Sequence, residues 1–97
     1  MPAQLLDELA DGLLWFDAGG RLQGFNQAAA RLLEMHPRSP ASTVLAPAGA
    51  AVVDWFTRLR PHDARAAMRV TLADGALLRL ESWALPGGRA LRLQVVG

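Results

Sequence analysis

The chain has 97 residues, 52% of them hydrophobic, and a formal net charge of +1. A chain of this length forms one domain with one modest core, which makes a large cofactor cavity hard to support. Cysteine is absent, and this excludes disulfides, thiolate metal sites and cysteine nucleophiles. The ten basic residues, all arginines, are scattered along the chain, so no basic patch for nucleic acid is expected.

The first ten residues predict a short amphipathic helix. Leucines recur at helical spacing among acidic residues, and the pattern ends at Gly12. The leucines are Leu5, Leu6 and Leu9. Asp7 and Glu8 stand where a signal peptide would carry positive charge, and no apolar run approaches the roughly 20 residues that span a bilayer. We therefore expect a cytoplasmic segment without membrane contact.

The next segment predicts a β-hairpin followed by a helix. The apolar run 13–16 ends in Asp17 and a turn that contains Gly19 and Gly20, and a second run follows at 22–25. Asn26 is a good N-cap for the helix-forming residues up to Glu34. We expect Pro37 to end that helix.

The middle of the chain predicts loops and a second helix. Residues 38–49 are rich in Pro, Ser, Ala and Gly, which indicates a loop with short helical turns. Residues 50–59 place an apolar stripe on one helical face, and we expect Pro61 to stop this helix.

The last third predicts three consecutive antiparallel strands, at 65–73, 77–85 and 90–96. Turns at Asp74-Gly75 and Pro86-Gly87-Gly88 separate them. The middle strand alternates between small apolar residues (Leu78, Leu80, Ser82, Ala84) and a mixed set (Leu77, Arg79, Glu81, Trp83). We expect the first set to face the helices and the second to form an outer face that something covers. The element order indicates an α+β fold with a five-stranded antiparallel sheet.

The sequence resembles the PAS family. The stretch from Leu5 to Leu22, with Phe25-Asn26-Gln27-Ala28-Ala29 after it, is similar to the family's opening pattern. In that pattern an apolar strand ends in Asp, a Gly turn follows, and a second strand runs into an Asn-x-Ala-Ala helix start. The turns of the last three strands are similar as well. The resemblance implies a PAS-like five-stranded antiparallel sheet with helices on one face, an N-terminal helix at 1–10 and a PAS core at 11–97.

Three residues of the opening pattern have a structural interpretation. Asp17 can accept backbone N–H bonds across its turn, Gly20 can supply a positive φ, and Asn26 can cap the helix and join it to the strand. A general acid or base would need a titratable partner in a pocket, and the sequence offers none. We therefore expect a regulatory domain that is not an enzyme.

The resemblance raises the question of a cofactor. Light-sensing family members attach flavin or a cinnamoyl pigment through cysteine, which this chain lacks. Haem-binding members supply a histidine, and His36 and His62 are the candidates, although both are interpreted as loop or capping residues. A noncovalent flavin would stack on tryptophan, but Trp15, Trp55 and Trp83 are interpreted as packing residues. We expect no cofactor.

The resemblance implies a sensory and dimerisation module of a multidomain bacterial signalling protein, such as a sensor histidine kinase of a two-component system. We expect a homodimer formed through the N-terminal helix and the outer sheet face, with Leu5, Leu6, Leu9 and Trp83 as interface candidates. An effector domain beyond Gly97 would receive the signal.

Two alternatives differ in function. The first is a domain that senses a small ligand or a noncovalent flavin or haem, with a candidate pocket formed by Phe25, Val52, Phe56, Leu78 and Leu80. The second is a small enzyme or nucleic-acid binder. The sequence contains no phosphate-cradling loop, metal-ligand spacing or nucleophile constellation that would support the second.

Overall fold

The computed structural model describes residues 11–59 and 65–96. The predicted helix at 1–10, with Leu5, Leu6 and Leu9, lies outside the described residues, and so do Pro61 and His62. Within the described residues, no helix has the length and apolar character needed to cross a membrane.

The centre of the fold is one antiparallel sheet of five strands. The strands are β1 (Gly12–Asp17), β2 (Leu22–Phe25), β3 (Arg65–Thr71), β4 (Leu77–Leu85) and β5 (Gly88–Val95). Their spatial order is β2-β1-β5-β4-β3, and every neighbouring pair is antiparallel. The predicted sheet and its helical middle are therefore confirmed.

Three short helices connect β2 to β3. They are α1 (Gln27–Leu32), α2 (Ala41–Leu45), which continues into a 3₁₀ turn at Ala46–Ala48, and α3 (Ala50–Arg58). The expectation that Pro37 ends α1 is wrong. Leu33 already has extended backbone (φ −135°, ψ 149°) and is buried, so the chain leaves the helix to place this side chain in the core.

The core lies between the helices and one face of the sheet. Three of the four residues of β4 that we expect to face the helices do so, since Leu78, Leu80 and Ser82 point inward and are fully buried. The fourth, Ala84, is exposed near the end of the strand, so the expectation is wrong for this residue. From the helical side, Val44, Leu45, Val52 and Phe56 pack against the same cluster.

The outer edge of β2 is covered by the loop that precedes α2. Leu22 donates its N–H to the Ser39 carbonyl and accepts the Arg38 N–H, both at 2.9 Å. To make this contact Arg38 adopts a left-handed backbone conformation with φ 67°, which is uncommon for a residue other than glycine.

Candidate functional site

Asn26 joins the first strand to the first helix. Its Oδ1 accepts the Leu13 N–H at 2.9 Å and the Ala29 N–H at 3.0 Å, so one oxygen binds β1 and caps α1. Its Nδ2 donates to the Asp11 carbonyl at 2.9 Å. The residue is only 1% exposed. All these bonds are structural, as the sequence indicates.

Asp17 organises the turn between β1 and β2. Its Oδ1 accepts the N–H groups of Gly19 and Arg21 at 2.9 and 3.0 Å, and its Oδ2 accepts the Gln23 amide at 2.9 Å. Gly20 follows with φ 79°, a conformation that glycine adopts at little cost. Both oxygens of the Asp17 carboxylate therefore stabilise the β1–β2 hairpin.

The five residues predicted to line a pocket lie together. Val52, Phe56, Leu78 and Leu80 belong to one buried cluster, against which Phe25 packs. Val52, Leu78 and Leu80 have no exposed surface, so at their positions the space between sheet and helices is filled by side chains.

A cleft of about 570 Å³ lies instead at the end of the sheet where the hairpin turns are. Only Phe56 of the five predicted residues lines it. Four segments form its walls: the β1–β2 turn, the start of α2, the end of α3 and the β4–β5 turn. Sequence reasoning missed it because its residues come from four separate segments.

The outer face of the sheet carries a row of residues that crosses all five strands. In register these are Gly24, Trp15, Ala90, Trp83 and Arg65. The Trp15 indole lies over Gly24, where an added Cβ would clash with atoms of the ring. The Arg65 guanidinium lies over the Trp83 ring, 5.3 Å from its centroid. Both tryptophans are half-buried.

Beside this row, Glu81 binds three arginines. Its carboxylate lies 3.4 Å from Arg65 Nη1, 3.7 Å from Arg79 Nη2 and 3.5 Å from Arg92 Nη2. The Glu81 side chain is 11% exposed, although it lies on the outer face. Arg92 also contacts the Asp11 carboxylate at 3.7 Å, at the start of β1. The outer face therefore combines indole surface with an arginine cluster around one carboxylate.

The cofactor candidates that the structure describes do not lie together in one site. His36 is exposed, with its Nε2 3.8 Å from the Glu34 carboxylate. Trp15 and Trp83 lie on the outer face, whereas Trp55 lies on α3 and packs beside Phe56 with ring centroids 6.2 Å apart. Among the residues described, no cluster of three or more His, Asp or Glu side chains could hold a metal ion.

Neither a family model nor a curated protein matches the chain. Two similar solved structures cover most of it. One is the PAS domain of a protein from Colwellia psychrerythraea, at 14% identity and a TM-score of 0.61, covering 97% of this chain and 92% of that chain. The other is a domain of the sensory box sensor histidine kinase/response regulator from Geobacter sulfurreducens, at 19% identity and a TM-score of 0.53, covering 93% and 86%. The chain has the PAS fold.

Proposed function

We propose that this chain is a signalling module of a multidomain bacterial protein, that it associates with a second copy through its outer sheet face and residues 1–10, and that it passes the resulting change to an effector domain. The observation that carries the proposal is the composition of the outer face, where two half-buried tryptophans lie beside an arginine cluster. The similar domain of a sensor histidine kinase supports the signalling role.

Charge complementarity supports residues 1–10 as the cover of this face. This segment contains three leucines and two acids but no basic residue. The outer face offers indole surface for the leucines, and it offers guanidinium groups of Arg65, Arg79 and Arg92 for the acids. In this arrangement the leucines of residues 1–10 would pack on the indoles, and the two carboxylates would lie near the arginines.

The position of Asp11 at the start of β1 also supports this cover. Asp11, the residue that follows the segment, has its carboxylate 3.7 Å from Arg92 Nε on the outer face. The chain thus enters the sheet at the border of the proposed interface. In the proposed dimer, the outer face of one copy can be covered by residues 1–10 of the same copy or by residues 1–10 of the second copy.

A regulatory role fits the use of the polar side chains. Asn26 and Asp17, which are part of the family resemblance, accept hydrogen bonds from backbone N–H groups of the strand, the helix and the turn. The proposed module is cytoplasmic, catalyses no reaction itself, and works without flavin or haem. An absorbance spectrum of the purified protein tests the last point, since a flavin or Soret band would contradict it.

Sedimentation velocity between about 5 and 500 μM tests the association. We expect a concentration-dependent dimer that Leu9→Asp and Trp83→Ser weaken at least about tenfold, because each substitution removes buried apolar contact worth over 1.4 kcal/mol. Ala51→Asp, on the exposed side of α3, is the matched control and should leave the dimer unchanged. A protein that stays monomeric throughout, with no effect of Leu5→Asp or Leu9→Asp, would overturn the proposal.

A further inference from the structure

The strand β3 forms one border of the sheet, and its backbone is open on that side. The Leu72 N–H donates to the Ala76 carbonyl at 2.8 Å, which fixes the hydrogen-bonding phase of the β3–β4 pair. Because bonding positions alternate along an antiparallel pair, the even-numbered residues of β3 bond to β4. The outward N–H and C=O groups, which have no partner in the part of the chain that the structure describes, belong to Ala67, Arg69 and Thr71.

The other side of β4 gives the same phase. The Val96 N–H donates to the Leu77 carbonyl at 2.9 Å, so the odd-numbered residues of β4 bond to β5. The even-numbered residues of β4 are left for β3, and in register they lie opposite the even-numbered residues of β3, as Leu80 lies opposite Met68. The open groups of the β3 border are therefore regularly spaced along the strand.

The outer side of this border is cationic. Arg69 and Arg79 lie directly opposite each other in the register, so two like charges share one face of neighbouring strands, an arrangement that lowers stability. Arg79 has the Glu81 carboxylate 3.7 Å away. Arg69 is exposed and forms no ion pair with another described residue. An acidic side chain on an added strand would lie beside Arg69 and offset this repulsion.

The inner side of the same border is apolar. Met68 lies opposite Leu80, which is fully buried, and Val70 has the same relation to Leu78. Both Met68 and Val70 pack against the core, yet they are only half-buried, since no described strand continues the inner row beyond them. An apolar side chain on an added strand would cover what remains exposed.

We propose that the β3 border binds an extended segment of a partner protein in which acidic and apolar residues alternate. The segment pairs antiparallel with β3. Its acidic residues lie beside Arg65 and Arg69 on the outer side, and its apolar residues lie beside Met68 and Val70 on the inner side. Main-chain bonds supply affinity and the two rows of side chains supply selectivity. The binding groups lie along the border and not on the indoles, so the proposal stands whether or not the protein dimerises as proposed.

The probe is a capped seven-residue peptide that alternates glutamate and valine and matches the length of β3, and a lysine–valine peptide is its control. Each is titrated into ¹⁵N-labelled protein and followed by amide chemical shifts. We expect saturable shifts at Ala67, Arg69 and Thr71 with the glutamate peptide. It should bind at least about tenfold more tightly than the lysine peptide, because attraction to the border arginines replaces repulsion.

N-methylation of the peptide tests the backbone pairing. In the proposed arrangement the glutamate N–H groups point to β3, whereas the valine N–H groups point to solvent. A methyl group on the nitrogen of the central glutamate should therefore weaken binding at least about fivefold. A methyl group on the nitrogen of a neighbouring valine is the matched control and should change the affinity by less than about twofold.

Variants of the protein locate the site. Arg69→Ala should weaken binding of the glutamate peptide about two- to fivefold, and Arg31→Ala, which removes an exposed arginine of α1, should leave it unchanged. Ala67→Pro removes an outward N–H but no bond to β4, and it should weaken binding at least about fivefold. Leu9→Asp, which weakens the proposed dimer, should bind the peptide normally.

Three results would overturn the proposal: equal affinity for the glutamate and lysine peptides, equal effects of the two N-methyl groups, or no saturable shift up to about 5 mM peptide. The Leu9→Asp protein alone provides the last arm. If its β3 amide shifts grow with protein concentration, a second copy binds this border without the proposed dimer, and this would also contradict an acidic partner.

Discussion

Asn26 binds Leu13 twice, since its Oδ1 accepts the Leu13 N–H and its own N–H donates to the Leu13 carbonyl, both at 2.9 Å. The same Oδ1 caps α1, so the beginning of the sheet and the beginning of the helical layer are fixed by one buried amide. A single side chain therefore links α1 directly to β1.

Removing this amide should be costly. We expect Asn26→Ala to lower the free energy of unfolding by about 2–4 kcal/mol, because it removes a helix cap and leaves the partly buried Leu13 N–H without its side-chain partner. Urea denaturation measures the change. Gln27→Ala, at the exposed neighbouring position, should alter stability by less than about 0.5 kcal/mol. A loss below 1 kcal/mol in Asn26→Ala would contradict this account.

The turn at Asp17 should depend on its carboxylate for stability. We expect Asp17→Ala to cost about 1–2 kcal/mol, since three hydrogen bonds of modest net worth at an exposed turn are lost. Asp74→Ala is the comparison, because the Asp74 carboxylate accepts a single turn bond, from the Ala76 N–H at 3.0 Å, and its loss should cost clearly less. Equal costs in the two variants would show that the extra bonds of Asp17 contribute nothing.

The contact between Trp15 and Gly24 should tolerate no methyl group. We expect Gly24→Ala to displace the indole, lower stability by about 1–3 kcal/mol and shift the tryptophan fluorescence spectrum. In a double-mutant cycle, Gly24→Ala should cost much less when Trp15 is already replaced by Leu, because the smaller side chain leaves room. Additive costs would place the origin of the effect elsewhere.

Glu81 should hold the arginine cluster together. We expect Glu81→Gln to lower stability by about 1–3 kcal/mol at low salt, because Arg65, Arg79 and Arg92 then face one another without the carboxylate. The deficit should shrink as the salt concentration rises, since salt screens the repulsion among the partly exposed guanidinium groups. Urea denaturation at about 20 mM and 1 M sodium chloride measures it. A deficit independent of salt would indicate lost packing instead of repulsion.

The sequence predicted the sheet well because local signals agree with the tertiary structure. The turn residues from Asp17 to Gly20, the cap at Asn26 and the inward set on β4 all follow short-range rules. Strand bounds shifted only at the ends, as in β5, which begins at Gly88 instead of Ala90.

Features that depend on distant segments were not predicted. The helix α1 ends early because the burial of Leu33 in the core requires an extended backbone at this residue. This burial outweighs the helix propensity of the residues that follow. The cleft depends on how two hairpin turns approach α2 and α3. The sequence contained one signal for the cleft. Along the alternating strand β5, Arg89 falls on the same face as Leu91 and Leu93, which is the inner face.

The loop that covers β2 makes the two edges of the sheet different. Because Leu22 uses its outward N–H and carbonyl on Ser39 and Arg38, the β2 border offers little backbone for a further strand. At the opposite border β3 is the last strand among the residues that the structure describes, and it carries Arg65 and Arg69. Positive charge on a terminal strand discourages stacking of identical chains through backbone pairing. A strand recruited from elsewhere would therefore extend the sheet beside β3, and an acidic strand would be tolerated there best.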